Sequence, residues 1–206
     1  DPNAPLTAQE RALLNEMATN YYTYRNYDDA ARTWAKLIDP AKENNLAEYM
    51  QVGRAFYNGE NYKSADSVFS IVIKKQPDYL PAHVYIARTY SRMDPDTKLG
   101  LAKPKFEKIL DVAGKDSLKN ESELIEALTY LGFFNMENGN YTKAKDIYTR
   151  MINLNPESKD NKVRGYNGIG FSGCLLSLSL PFLNLPGGDF LDGLTSKDPI
   201  KPCHGP

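Results

Sequence analysis

The sequence has few of the side chains that enzymes most often use for proton transfer or metal binding. Among 206 residues there are two histidines, two cysteines and one tryptophan. Cys174 and Cys203 both lie near the C-terminal end, which excludes a framework of several disulfides. His83 falls at a semi-buried position of a helical pattern, so we expect a hydrogen-bonded core histidine there. Cys203 and His204 lack a second close pair of ligands. We therefore predict a protein that is not an enzyme, with no metal and no cofactor.

An excess of either charge is also missing. Twenty-five Lys and Arg residues face 26 Asp and Glu residues, for a formal net charge of -1. Proteins that bind nucleic acid need a positive surplus to hold the phosphate backbone. Nucleic acid is therefore not expected as a partner.

What the sequence does contain is a short motif that recurs. Asn-Tyr-x-x-Ala stands at residues 26–30, 61–65 and 140–144. The first two copies are 35 residues apart, and the third follows 79 residues after the second. This spacing fits repeating units of about 35 residues with one insertion.

The second copy shows what one unit folds into. Two runs of apolar or small residues follow the i, i+3, i+4, i+7 spacing of a helix face on either side of the polar turn 58–61: Tyr49, Val52, Gly53 and Phe56, then Ala65, Phe69, Val72 and Ile73. Gly53 and Ala65 would let the two helices approach closely, while Phe56 and Phe69 fill the space beside that contact. The pattern predicts a helical hairpin that must pack on its neighbours to be stable.

These residues resemble the tetratricopeptide repeat, whose pattern has small residues at positions 8 and 20 and aromatic residues at 11 and 24. The copies are residues 11–45, 46–79, 80–124 and 125–158, with a partial fifth at 163–170. The third copy fits only if the turn "DPDTKLG" carries three extra residues. The resemblance implies an all-α fold, a right-handed superhelical solenoid of about four helix-turn-helix repeats. The repeat domain would span residues 1–170, with an irregular tail at 171–206.

The resemblance also implies a function, because members of this family grip an extended peptide or a partner helix with their first helices. Carried onto this sequence, the partner-binding residues are Tyr22, Arg54, Tyr57, Tyr85, Arg88, Arg92, Tyr130 and Phe133. Six further positions face the same groove: Asn15, Thr19, Met50, Val84, Thr129 and Glu137. We therefore expect a scaffold or adaptor that binds a protein or peptide.

Arg54, Arg88 and Arg92 would favour an acidic partner. A set of ion pairs on a solvated face explains them equally well. Two other functions stay open: a glycan-binding module that uses Tyr85 and Tyr130, and a structural subunit of an envelope assembly that associates with itself as a homo-oligomer. The richness in Asn and Tyr resembles bacterial envelope members of the family, which favours the periplasm or cell envelope over the cytoplasm.

The last 36 residues differ from the rest. Residues 171–206 contain no Ala, Glu, Arg or Tyr, and residues 165–188 carry no charge. Pro181 and Pro186 disfavour a membrane-spanning helix. The tail is then either a cap that lays Leu176, Leu178 and Leu180 over the last repeat, or a foreign segment without a role. We favour the foreign segment, which predicts that a chain truncated after Gly170 is as stable and as little prone to associate as the full chain, or better in both respects.

Overall fold

The computed structural model describes residues 5–39, 41–42 and 45–177. This part contains nine α-helices, one short 3-10 helix at Gly114–Asp116 and no strand. One hairpin is α1 (Ala8–Thr23) and α2 (Tyr27–Ala35), and the next is α3 (Leu46–Asn58) and α4 (Tyr62–Lys75). Helices α5 (Leu80–Met93) and α6 (Lys103–Ala113) follow in the chain. A further hairpin is α7 (Glu121–Glu137) and α8 (Tyr141–Leu154), followed by α9 (Lys159–Ser177). The predicted all-α fold of about four helix-turn-helix repeats with a partial fifth is confirmed.

The described helices fall into two compact units. Residues up to Met93 form the first unit, which holds α1 to α5. Residues from Asp94 onward form the second, which holds α6 to α9.

The recurring Asn-Tyr motif ends one helix and begins the next. The residue before each Asn has left-handed backbone geometry, with φ values of 64° at Arg25, 60° at Glu60 and 74° at Gly139. The backbone N–H of the Asn then donates to the carbonyl oxygen five residues earlier, over 2.8 Å at Asn26, 2.9 Å at Asn61 and 2.7 Å at Asn140. This is the pattern of bonds that closes the C-terminus of a helix when one residue turns left-handed. The motif is therefore a helix stop.

Small residues and aromatic rings meet where the helices of a hairpin touch. A Cβ atom added to Gly53 would lie 2.4 Å from the Phe69 ring, and one added to Gly132 would lie 2.5 Å from the Tyr148 ring. Both rings and Ala65 are buried. The predicted contact between Gly53 of α3 and Phe69 of α4 is thus present, because only the absence of a side chain leaves room for the ring.

The extra residues of the third copy form a loop at the start of the second unit. The buried carboxylate of Asp94 accepts hydrogen bonds from the backbone N–H groups of Leu99 and Leu101, both over 3.2 Å. Gly100 has a φ of 65°, and a Cβ atom there would lie 3.2 Å from Phe134. One side chain therefore holds the inserted turn, and a glycine lets it approach α7.

His83 has the predicted structural role. It is 7% exposed, and its Nε2 lies 2.6 Å from the carbonyl oxygen of Pro77. Because a carbonyl oxygen can only accept, Nε2 carries the proton and donates. The imidazole therefore ties α5 to the end of the preceding hairpin.

Helix α9 extends further than the partial repeat that the sequence indicated. It begins where Glu121 accepts hydrogen bonds from the side chains of Asn155 and Asn161, each over 2.9 Å, and it continues to Ser177. Residues 171–177, which we expected in the irregular tail, are thus helical, and the first proline after them is Pro181. Leu178, Leu180, Cys203 and His204 lie outside the described residues. No helix among the described residues has the length and apolar character needed to cross a membrane.

Candidate functional site

Three tyrosines of the first unit form a connected group of rings. The centroid of Tyr57, at the end of α3, lies 6.0 Å from that of Tyr62 and 5.7 Å from that of Tyr85. Tyr85 also stacks on the buried ring of Phe69 over 5.2 Å. Edge-to-face and offset contacts of this kind stabilise aromatic groups beyond the area they bury. The buried ring of Phe69 therefore holds Tyr85 in place, Tyr85 holds Tyr57, and Tyr57 holds Tyr62.

Two arginines of α5 complete the group. The Arg88 guanidinium lies 5.4 Å from the centroid of Tyr85. Arg92 is hydrogen-bonded to Tyr57, and this bond is the main cause that raises the pKa of Arg92 above its ordinary value. Burial, followed by the charge of Glu60, raises the pKa of Tyr62. We call Tyr57, Tyr62, Tyr85, Arg88 and Arg92 the Tyr57 cluster.

The first hairpin contains a neutral version of the same arrangement. Tyr22 lies 5.1 Å from Tyr27 and 5.5 Å from Trp34, measured between ring centroids. The Asn58 side-chain amide donates to the Tyr22 hydroxyl over 2.6 Å. Tyr22 and Asn58 stand at the same repeat positions as Tyr57 and Arg92, so each tyrosine is bonded to the end of the next first helix. The donor to Tyr22 is the neutral amide of Asn58, whereas Tyr57 is bonded to the charged guanidinium of Arg92.

The structure gives Tyr130 a different role from the one we expected. It is 6% exposed and stacks on Phe106 over 4.2 Å and on Phe134 over 6.4 Å. Burial, followed by the charge of Asp94, raises the pKa of Tyr130 to about 12. Its hydroxyl has no hydrogen-bond partner among the described residues. Tyr130 is therefore part of the core of the second unit, while Phe133 on the same helix is half-buried.

The remaining groove positions divide between surface and core. Arg54 is exposed, and its Nε donates to the carbonyl oxygen of Met50 over 3.3 Å. Met50 and Val84 are buried. Asn15 accepts a hydrogen bond from the Trp34 indole over 3.1 Å, and Thr19 donates to the backbone of Asn15 over 2.7 Å. In the second unit, Thr129 is half-buried and Glu137 is exposed.

Sequence reasoning missed Tyr62, which belongs to the Tyr57 cluster, and Glu60, whose charge contributes to the raised pKa of Tyr62. A signal was present, because Tyr62 is the tyrosine of the recurring Asn-Tyr motif and therefore stands at the start of α4, next to the end of α3. The described part of the chain holds no group of three or more His, Cys, Asp or Glu side chains placed to bind a metal ion.

Comparisons with known proteins agree with this architecture. Residues 126–158 match the model of the family described as Tetratricopeptide repeat. No curated protein matches the sequence. Among solved structures, the C-terminal part of a TPR repeat-containing protein from Cytophaga hutchinsonii is 28% identical with a TM-score of 0.68, over 78% of this chain and 60% of that chain.

Two further similar structures are more distant in sequence. MamA from Desulfovibrio magneticus RS-1 is 18% identical with a TM-score of 0.57, over 81% of this chain and 85% of that chain. A thermophilic TPR protein of Thermus thermophilus is 17% identical with a TM-score of 0.50, over 78% of this chain and 82% of that one. The chain spans only 60% of the length of the Cytophaga structure. The fold of the chain is similar to that of tetratricopeptide-repeat proteins, and residues 126–158 match the sequence model of that family.

Proposed function

We propose that the chain is a non-catalytic scaffold that binds an acidic segment of a partner protein at the Tyr57 cluster. Tetratricopeptide repeats generally mediate protein–protein interaction, and the family is generally non-catalytic. The acidic character of the partner is inferred from Arg88 and Arg92 of this chain.

The observation that carries the proposal is the combination of fixed tyrosines and oriented arginines on one surface. Tyrosine and arginine dominate the binding energy of protein interfaces because they bring large contact areas and directional donors. Tyr57 holds Arg92 by a hydrogen bond, and Arg88 lies over Tyr85. A guanidinium that is already oriented loses less side-chain freedom when it meets a carboxylate. The cluster therefore suits a carboxylate-bearing segment with an apolar or aromatic anchor.

A glycan-binding function has less support. It depended on open faces of Tyr85 and Tyr130, onto which a sugar ring could stack. Phe69 stacks on Tyr85 and Arg88 lies over its ring, while Tyr130 is buried. We therefore do not propose a glycan partner.

The test begins with selection from a displayed random peptide library against the full chain. We expect the selected peptides to be rich in Asp and Glu, and a labelled peptide then serves as the probe in fluorescence anisotropy. Arg88→Ala combined with Arg92→Ala should weaken binding at least about tenfold and flatten its dependence on salt. Arg92→Asn places at this position the residue that the preceding repeat uses. It should keep the bond to Tyr57, as Asn58 bonds Tyr22, while weakening binding, because it removes the charge and the further donors of the guanidinium.

The matched control is Lys145→Ala combined with Arg150→Ala, which removes two exposed positive charges from α8 in the second unit. The control should bind the probe like the unmodified chain. Equal weakening by the control would show that only net charge matters. Selected peptides without acidic residues, or unchanged binding by the Arg88 and Arg92 variant, would contradict the proposal.

A further inference from the structure

A cavity of about 310 Å³ lies where α1, α2 and α3 meet in the first unit. This volume is at the lower end of the range of small-ligand sites. The lining combines an indole, a leucine, two amides and two opposite charges: Trp34, Leu37, Asn15, Gln51, Arg11 and Glu48. The cavity therefore offers both an aromatic wall and charged groups to a ligand.

The corresponding junction of the second repeat is filled by the chain itself. Tyr85 has the repeat position of Gln51, and its ring stacks on Phe69 over 5.2 Å. Met50 has the repeat position of Asn15 and is buried in the same core cluster as Phe69. The first repeat has a cavity here because two large side chains are replaced by smaller amides.

The second unit contains the same pair of aromatic rings. Tyr130 also has the repeat position of Gln51, and it stacks on Phe106 over 4.2 Å. Phe106 in turn has the repeat position of Trp34. At two junctions a tyrosine thus packs against the aromatic residue of a second helix, and beside Trp34 the space of that tyrosine is open.

The cavity does not result from the place of α1 in the sequence. The core cluster at the corresponding junction draws all its members from residues 46–90, and none from α1 or α2, although these helices precede it. By the same geometry, a helix before α1 would not fill the space between α1, α2 and α3.

Two hydrogen bonds hold polar groups of the cavity in place. The Trp34 indole N–H donates to the side-chain oxygen of Asn15 over 3.1 Å. The Arg11 guanidinium donates to the carbonyl oxygen of Leu37 over 2.6 Å. A guanidinium has five N–H donors and a side-chain amide has two. Arg11 and Asn15 therefore keep donors for a ligand.

The two opposite charges are peculiar to this junction. Arg11 has the repeat position of Leu46, and Glu48 has that of Ala82. The Glu48 carboxylate lies 3.9 Å from the Lys42 nitrogen, which is too far for a hydrogen bond. An aromatic ring alone would need neither charge, whereas a zwitterion pairs its carboxylate with a guanidinium and its ammonium with a carboxylate.

We propose that this cavity binds a free aromatic amino acid. The ring of the ligand takes the space that a tyrosine fills at the other junctions, its carboxylate pairs with Arg11, and its ammonium pairs with Glu48. This site is separate from the Tyr57 cluster, and the inference does not rest on the function proposed for that cluster.

The sequence provides its own probe, because Trp34 is its single tryptophan. Titration of the full chain with L-phenylalanine should change the fluorescence of Trp34 in a saturable way, and calorimetry should give one site per chain. N-acetylphenylalaninamide keeps the ring but lacks both charges. It should bind at least about tenfold more weakly, because it forms neither ion pair.

Variants taken from the other repeats test each part of the cavity. Gln51→Tyr fills the space as the other repeats do and should abolish binding. Arg11→Leu and Glu48→Ala should each weaken binding at least about tenfold. The matched control is Arg32→Leu, which removes an exposed charge of α2 outside the cavity and should leave binding unchanged. Circular dichroism checks helicity, and the two charge variants decide the matter if Gln51→Tyr loses it.

Three results would overturn the proposal. The first is no saturable response up to about 10 mM L-phenylalanine, about ten times the dissociation constant of a weak millimolar ligand. The second is equal binding of N-acetylphenylalaninamide, which would assign the cavity to an aromatic side chain of a partner protein. The third is binding that neither Gln51→Tyr nor the charge variants weaken.

Discussion

Tyr148 of α8 lies against two glycines, and this contact makes Gly132→Ala a sharp test of the helix packing. A Cβ atom at Gly132 would lie 2.5 Å from Cζ of the ring, where ordinary contact begins at 3.4 Å. The ring would therefore have to move by about 0.9 Å, the difference between these distances. Gly168 of α9 contacts the same ring, and a Cβ atom there would also lie 2.5 Å away. Because α7 and α9 both contact the buried ring of Tyr148, the ring has little room to move away from a Cβ atom at Gly132.

The expected size of the effect follows from two opposing terms. Alanine stabilises a helix interior by about 1 kcal/mol relative to glycine. Overpacking a filled core costs about 1 to 3 kcal/mol. Gly132→Ala should therefore lower the free energy of unfolding by up to about 2 kcal/mol. Gly170→Ala is the matched control, because Gly170 is also helical and a Cβ atom there would meet nothing within 4 Å. The control should raise stability by up to about 1 kcal/mol.

Urea denaturation followed by circular dichroism measures both changes. Tyr148→Leu destabilises the core by itself, but Gly132→Ala should cost less in that background than in the unmodified chain. The smaller side chain removes the crowding and makes the two changes non-additive. The close approach of α7 and α8 would be refuted if Gly132→Ala stabilised the protein as much as Gly170→Ala does.

Two further predictions concern backbone geometry and pH. Glu60 has a φ of 60° where the fourth repeat uses Gly139, so Glu60→Gly should raise the free energy of unfolding in urea by about 0.5 to 1 kcal/mol; a loss of stability would contradict this. The pKa of Tyr130 is raised to about 12, against about 10 in an unfolded chain. The folded state holds this proton more tightly, so stability that is present below pH 10 or so is lost as the pH rises toward about 12. Tyr130→Phe should make this fall shallower, and an unchanged slope would count against the buried hydroxyl.

The helix pairs could be predicted because their signals are local. Each Asn-Tyr motif ends one helix and starts the next within a few residues, and the same backbone bond recurs at Asn26, Asn61 and Asn140. The contact of Gly53 with Phe69 could also be predicted, since a missing side chain and a large ring at fixed repeat positions complement each other. The helix stop and the contact of glycine with a ring each involve residues whose positions the repeat spacing fixes, so both can be predicted from the sequence.

The surface could not be predicted in the same way. An aromatic residue at helical spacing has the same pattern whether it faces the core or solvent, and Tyr130 proved to be buried while Tyr57 is half-buried. What separates them is the packing around each ring. Tyr130 is stacked on Phe106, whereas the hydroxyl of Tyr57 reaches Arg92. These partners come from other helices, and the sequence pattern of one helix does not identify them.

If the Tyr57 cluster binds a partner as proposed, a comparison of the repeats explains how such a surface can arise without disturbing the packing of the helices. At one repeat position a tyrosine hydroxyl is bonded to the next first helix, by Asn58 in one case and by Arg92 in the other. Both side chains are long enough and polar enough to make this bond, so the contact between helices is kept whichever is present. Arginine adds a charge and further donors that the bond does not use. Under the proposed function, the structural position and the binding position are the same residue, and exchange of Arg for Asn would separate the two roles.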